Sequence, residues 1–227
     1  MLYSERAARD NIRNKDGRRV FYLDKGDQLT SEARDFLNRE RIEILPATAA
    51  RPERYRLLSG GFMEQKPEHM THLHGDVLVS KTHPRIAFRG AMDALEAELL
   101  LCALALPGHR AQLEEILEHA RQLLRCDVLE EPMQEHTLCG LNQQQLREHS
   151  HRPQDFYGQP HFMPAVTDGE AVLLLNKVRC AARVAEQKAA EAFVDENGGM
   201  TRPDILQSLN RMSSMLYILM IQAKTKQ

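Results

Sequence analysis

From Pro84 onward the chain carries one pattern that restricts its fold more than any other. Met92, Leu95, Leu99, Cys102 and Leu106 recur at alternating intervals of three and four residues. That spacing lines up one face of an α-helix, because successive positions advance by about 100° per residue. Leu113, Ile116, Leu117, Ala120, Leu123 and Leu124 continue it over 109–129, and Ile205, Leu209, Met212, Leu216 and Leu219 repeat it near the C-terminus. Pro107-Gly108 stops the first helix, and Glu130, Glu131 and Pro132 close the second. A third long helix is predicted over 168–195, capped by Thr167 or Asp168, and Asn197-Gly198-Gly199 reads as a turn. Thr201 is expected to cap the last helix, with Pro203 and Asp204 in its first turn. A shorter helix is predicted near Leu141–His149, inside a stretch rich in Gln, His and Pro. The expected fold is mainly α: four long amphipathic helices and a shorter fifth packed as a five-helix bundle.

The first part of the chain reads differently. Val20 and Tyr22 alternate with polar residues as a strand does. Thr30 or Ser31 can cap a helix carrying Ala33, Phe36 and Leu37, and Arg41–Leu45 alternates again before Pro46. This predicts a small strand–helix–strand unit that must dock or mediate assembly, because it is too small to bury a core alone. Residues 46–66, with Pro46, Pro52, Gly60 and Gly61, read as a linker. The expected division is 1–60 for the N-terminal unit and linker and 61–227 for the bundle.

Composition removes several function classes. The 227 residues are 42% hydrophobic and 27% charged, an ordinary globular balance. No apolar run approaches the roughly 20 residues a membrane span requires. Charges in MLYSERAARDNIRNKDGRR stand where a signal peptide needs its apolar stretch, which predicts a chain in the cytoplasm or in a compartment filled from it. The net charge is −2, so nucleic acid is not an expected partner; residues 1–60 carry 13 Lys+Arg against 10 Asp+Glu, and the remainder 17 against 22. With 5% aromatics and no Trp, platforms for stacking single-stranded bases are hard to build. Cys102, Cys126, Cys139 and Cys180 are scattered, without a CxxC, and read as free thiols.

The residues able to carry chemistry lie mostly on two predicted helices. Arg179, Arg183 and Glu186 fall at i, i+4 and i+7, on one face and away from Val178, Ala181, Ala185 and Ala189. Two guanidinium forks one turn apart suit a polyanion such as a triphosphate, although a solvated face bearing an Arg–Glu pair has the same spacing. Asn210 and Ser214 stand one turn apart beside Arg211, fitting either nucleotide contact or helix register. Asp93 and Glu96 interrupt an apolar helix; a carboxylate beside core position Met92 calls for a cationic partner or for solvent. His69, His72 and His74 have spacings a metal site could use, but no local cysteine completes one. No Walker loop, GxGxxG or GxSxG is present, so any ATP site is not of the P-loop kind.

Four stretches taken together resemble the ATP:corrinoid adenosyltransferases, in their ethanolamine-utilization branch. They are KTHPRIAFRGAMDAL at 81–95, HFMP at 161–164, RCAARVAE at 179–186 and LNRMS at 209–213. Their order and approximate spacing hold from Lys81 to Ser213, and KPEHMTHL, RPDILQSLNRMSS and LTSEARDFLNRERIEI suggest the ethanolamine branch. The resemblance implies transfer of the 5′-deoxyadenosyl group of ATP to the cobalt of cob(I)alamin, with release of triphosphate. It implies that Arg179, Arg183, Lys81, Arg85 and the Thr71 region cradle the phosphates with Mg²⁺, while Asn210 and Glu186 fix nucleotide and metal. Asp93 is expected to pair with Arg179 across a subunit interface of a homo-oligomer, a trimer ahead of a dimer. Phe162 is expected under the corrin, removing the axial ligand and favouring four-coordinate Co(II). A reductase and ethanolamine ammonia-lyase are the implied protein partners. Some ethanolamine-type members carry a metal-binding cysteine cluster before the bundle. Here the region ARPERYRLLSGGFMEQKPEHM holds no cysteine, so that metal requirement is not carried over. The Thr/Arg/Gly-rich phosphate loop of the propanediol type is also not preserved; His72 to Gly75 stand there. A non-catalytic cobalamin carrier or microcompartment assembly factor, and a purely structural bundle, are the competing readings.

Overall fold

The computed structural model describes residues 2–15, 17–47 and 55–225. Their contacts divide into two compact units: residues up to His83 with Arg125–Glu131, and Pro84–Leu124 with the residues from Pro132 on.

The N-terminal unit is richer than strand–helix–strand. Short strands β1 (Leu2–Tyr3) and β4 (Gln28–Leu29) pair in parallel, and α1 (Glu5–Asp10) lies between them in sequence, its first turn capped by the Ser4 hydroxyl. In the first main sheet β3 (Arg18–Leu23) is central, antiparallel to β2 (Ile12–Lys15) and parallel to β5 (Glu43–Pro46). The crossover helix α2 (Ser31–Arg39) starts where predicted: Thr30 Oγ1 accepts the Ala33 amide at 3.2 Å. Phe21, Phe36, Leu37, Ala33, Ile12 and Ile42 form a core, joined by Leu129. The unit thus has its own apolar centre, part of it contributed by chain more than 80 residues downstream of Ile42.

The 46–66 stretch is not simply a linker, although 48–54 lie outside the described residues. Strands β6 (Tyr55–Leu57) and β7 (Phe62–Met63) pair antiparallel, and with β8 (Met70–His74) and β9 (Val77–Ser80) they make a four-stranded sheet in the order β7-β6-β9-β8. Val77, Leu78 and Val79 are buried, which is what stabilises so short a strand. The β8–β9 turn needs Gly75: its φ is +50°, and a Cβ there would stand 2.9 Å from the Asn14 carbonyl oxygen.

The second unit is helical. It contains α3 (Pro84–Ala105), α4 (Arg110–Leu129) up to Leu124, α5 (Gln143–His151), α6 (Pro153–Tyr157), α7 (Gly169–Phe193) and α8 (Pro203–Thr225). The four long helices match the predicted seams: Met92, Leu95, Leu99 and Cys102, and Ile205, Leu209, Met212, Leu216 and Leu219, are all buried in one core with Leu113, Ile116 and Leu123. Burying each such side chain contributes about 1.5–3 kcal/mol. Helix α7 packs against both α3 and α8, and α5 and α6 pack against α8.

Three local expectations change. The predicted single short helix is two, because Pro153 cannot continue α5 and instead opens α6. Thr201 does not cap α8; its hydroxyl donates to the Phe193 carbonyl at 2.9 Å, tying the end of α7 to the turn that follows. Asp168 sits at the start of α7 but its carboxylate faces elsewhere, accepting from Ala165 N–H at 2.8 Å and from Lys224 at 2.7 Å.

Candidate functional site

On α7 the inward positions are Val172, Leu175, Val178, Ala182, Ala185 and Ala189, with Ala182 rather than Ala181 fully buried. Anchoring that stripe turns Arg179 and Arg183 outward on one face, one turn apart. On α8 the buried seam likewise places Asn210, Ser213, Ser214 and Tyr217 on a common side. These two faces, the end of α5 and the irregular segment 158–165 line an open cavity of about 550 Å³. Phe162 and Met163 line it together with Arg179, Arg183, Asn210 and Tyr217.

Cationic and apolar groups meet in this cavity. Arg179 is half-buried, its Nε donating to Asn176 Oδ1 at 3.3 Å and its guanidinium lying 5.7 Å from the Tyr217 ring centre. Arg183 is exposed. Asn210 Nδ2 donates to Glu186 Oε1 at 3.0 Å, while Asn210 Oδ1 accepts from Arg211 at 2.6 Å. Asn210 is therefore held at both ends of its amide, which sets its orientation. Phe162 is half-buried, with Lys224 Nζ 4.3 Å from its ring centre. The Asp168 carboxyl holding that lysine lies below its ordinary range, first because Lys224 donates to it and then because Ala165 N–H does.

Of the predicted site residues, the fold brings Phe162, Arg179, Arg183 and Asn210 to one cavity, with Glu186 joined through Asn210. Asp93 is exposed on α3, and Glu96 pairs with Arg121 at 3.2 Å. Arg85, in the first turn of α3, lies 5.9 Å from the Phe193 ring centre and does not line the cavity. Thr71 and Lys81 belong to the N-terminal unit: Thr71 pairs with Val79 in the β8–β9 ladder, and the Lys81 amide donates to His69 O at 2.9 Å. His72 packs edge-on against Tyr55 and His74 lies 3.8 Å from Glu130. Among the described residues no three His, Cys, Asp or Glu side chains are grouped to hold a metal ion. Sequence reasoning missed His151, His161 and Tyr217. For Tyr217 a signal existed, since the Asn210–Ser214 face continues to it at i+7.

The sequence model of the cobalamin adenosyltransferase family matches residues 62–223, which include every residue lining the cavity. The chain belongs to that family. Among curated relatives, the chain is 36% identical over 164 residues to the corrinoid adenosyltransferase EutT of Salmonella typhimurium, covering 71% of this chain and 61% of the relative. It is likewise 36% identical over 165 residues to the corrinoid adenosyltransferase EutT of Escherichia coli K12, covering 72% of this chain and 61% of the relative. The chain thus spans less than two thirds of the length of these relatives. No solved structure matches it. Strands β1 to β6 lie outside the region matched by the family model, and none of the described helices is long and apolar enough to cross a membrane.

Proposed function

We propose that this chain transfers the 5′-deoxyadenosyl group of ATP to the cobalt of cob(I)alamin. The cobalt electron pair attacks C5′, the C5′–O bond breaks, and triphosphate leaves with that bond's electrons. The nucleophile belongs to the substrate, so the protein needs no Ser, Cys or His nucleophile; its work is placement and charge stabilisation. The observation that carries this reading is the meeting of an aromatic ring, Phe162, with the paired guanidiniums of Arg179 and Arg183 in one cavity. The ring suits the lower face of a corrin, where it excludes an axial ligand and favours four-coordinate Co(II), and the arginines suit a departing triphosphate. Glu186 offers a carboxylate oxygen beside them, which fits a hard cation such as the Mg²⁺ that accompanies ATP.

In a homo-oligomer, with a trimer as the first expectation, Asp93 of one copy would pair with Arg179 of another. Lys81, Thr71 and Arg85 would then add phosphate contacts to a nucleotide shared between copies. The product would supply ethanolamine ammonia-lyase in the cytoplasm or in a microcompartment. The test is anaerobic incubation with MgATP and chemically reduced cobalamin. Loss of the Co(I) absorbance that requires ATP, and that Arg179→Ala lowers at least about a hundredfold, is expected. Corrinoid binding with no ATP-dependent loss would overturn catalysis and favour a cobalamin carrier instead.

A further inference from the structure

Phe162 sits in a segment with no secondary structure to orient it: residues 159–165 form neither helix nor strand, and Pro160 and Pro164 flank the HFM triplet. Whatever aims this ring must therefore come from tertiary contacts. Tyr217, one helical step beyond the recognised Asn210–Ser214 face, supplies them. Its hydroxyl oxygen lies 3.1 Å from His161 Nδ1 and 3.4 Å from the Phe162 amide nitrogen. His161 Nε2 in turn lies 3.1 Å from the His151 carbonyl oxygen.

With a neutral His161 ring these contacts have one consistent proton arrangement. A carbonyl only accepts, so His161 Nε2 carries the hydrogen; in the neutral ring Nδ1 then accepts. The Tyr217 hydroxyl donates to Nδ1, and its oxygen accepts from Phe162 N–H. The result runs in one direction from the Phe162 backbone through Tyr217 to His161, with His161 fastened to the end of α5. The rings reinforce it: Tyr217 is near-parallel to His161 at 5.8 Å and 10°, and to Phe162 at 6.1 Å and 27°. Lys224, held by the buried Asp168, adds a cation on the Phe162 ring. The same Tyr217 ring lies under the Arg179 guanidinium, so one side chain connects the cationic wall to the aromatic one.

We infer that Tyr217 is a positioning residue whose hydroxyl, together with His161, holds Phe162 against the corrin. This rests on the corrinoid reading given above. A phenylalanine would supply the same ring packing; only the hydroxyl provides the fastening. The need for it is greatest while Co(II) still keeps an axial ligand that Phe162 must exclude. It is smaller for Co(I), which arrives without one.

The experiment compares the parent chain with Tyr217→Phe in two assays with MgATP. One assay starts from chemically pre-reduced cob(I)alamin. The other starts from cob(II)alamin with a reduced flavin as one-electron donor. The expected result is unequal: a fall of about tenfold from cob(II)alamin, on the scale of one lost positioning hydrogen bond, and less than about threefold from cob(I)alamin. The electron paramagnetic resonance signal of four-coordinate Co(II), formed with ATP present, should fall with the first activity. His161→Phe keeps the stacked ring and removes both ring nitrogens; it carries the same expectation and replaces Tyr217→Phe if that variant does not fold. Equal losses in both assays, or no loss in either, overturn the positioning role. A parent chain inactive even with pre-reduced cob(I)alamin overturns the functional reading itself, and the role assigned to Tyr217 with it.

Discussion

Arg179 and Arg183 differ in how they are held, and the difference bears on what each would do. Arg179 is half-buried, tied to Asn176 and stacked on Tyr217, so its fork is already oriented. Arg183 is exposed, so holding it on an anion would cost side-chain entropy. A planar fork contacts two oxygens of a triphosphate at once, and a lysine contacts as a point charge. Arg183→Lys should therefore keep the charge and lose the second contact, raising the KM for ATP about tenfold or more, in line with the roughly 1.5–3 kcal/mol of a charge-assisted hydrogen bond. Steady-state kinetics in ATP at saturating cob(I)alamin measures this; a KM unchanged from the parent would remove Arg183 from the phosphate site.

At the scale of elements, α5 is the least secure wall of the cavity. It is nine residues long, too short to be stable by itself; its last residues, Ser150 and His151, line the site, and the His151 carbonyl anchors His161. Its start is secured by a reciprocal capping box: Asn142 Oδ1 accepts from Gln145 N–H, and Gln145 Oε1 accepts from Asn142 N–H, both at 2.9 Å. Asn142→Ala should cost about 1 kcal/mol and show as a lower melting temperature. Hydrogen exchange over residues 143–151 should rise more than over α7 or α8. An unchanged exchange pattern would mean that packing of Leu146 against α8, and not the cap, sets the stability of α5.

For the molecule as a whole, a buried histidine adds to acid sensitivity. His119 on α4 is 8% exposed, its Nε2 is buried without a hydrogen-bond partner among the described residues, and its ring lies 3.8 Å from that of His136. Burial, and secondarily His136, push its pKa from 6.5 down to about 3. Such a group resists protonation only while folded. Stability is thus full above the unfolded value of 6.5 and drains as the pH falls from there towards the folded value. His119→Phe should flatten the decline of melting temperature with falling pH across that window. Parallel pH profiles for the two proteins would show that other groups govern acid unfolding.

The long helices were legible because their signal is local. A repeat of three and four residues follows from backbone geometry, and it located α3, α4, α7 and α8 and turned Arg179, Arg183 and Asn210 to predictable faces. Thr30 at the start of α2 was legible for the same reason. The β6–β9 sheet was not: its strands are two to five residues long, and pairings such as Arg56 with Val77 join positions 21 apart. Thr201 and Asp168 carried sound capping chemistry and were engaged by Phe193, Ala165 and Lys224 instead. Residue order alone carries the helical class, the paired cations and the aromatic residue that the family resemblance singled out. Which groups share the cavity, and which side chains contact Phe162, follow from packing between elements. The hydrogen bond from Tyr217 to His161 spans 56 residues, and such a contact is fixed by how whole elements pack, which no local periodicity encodes.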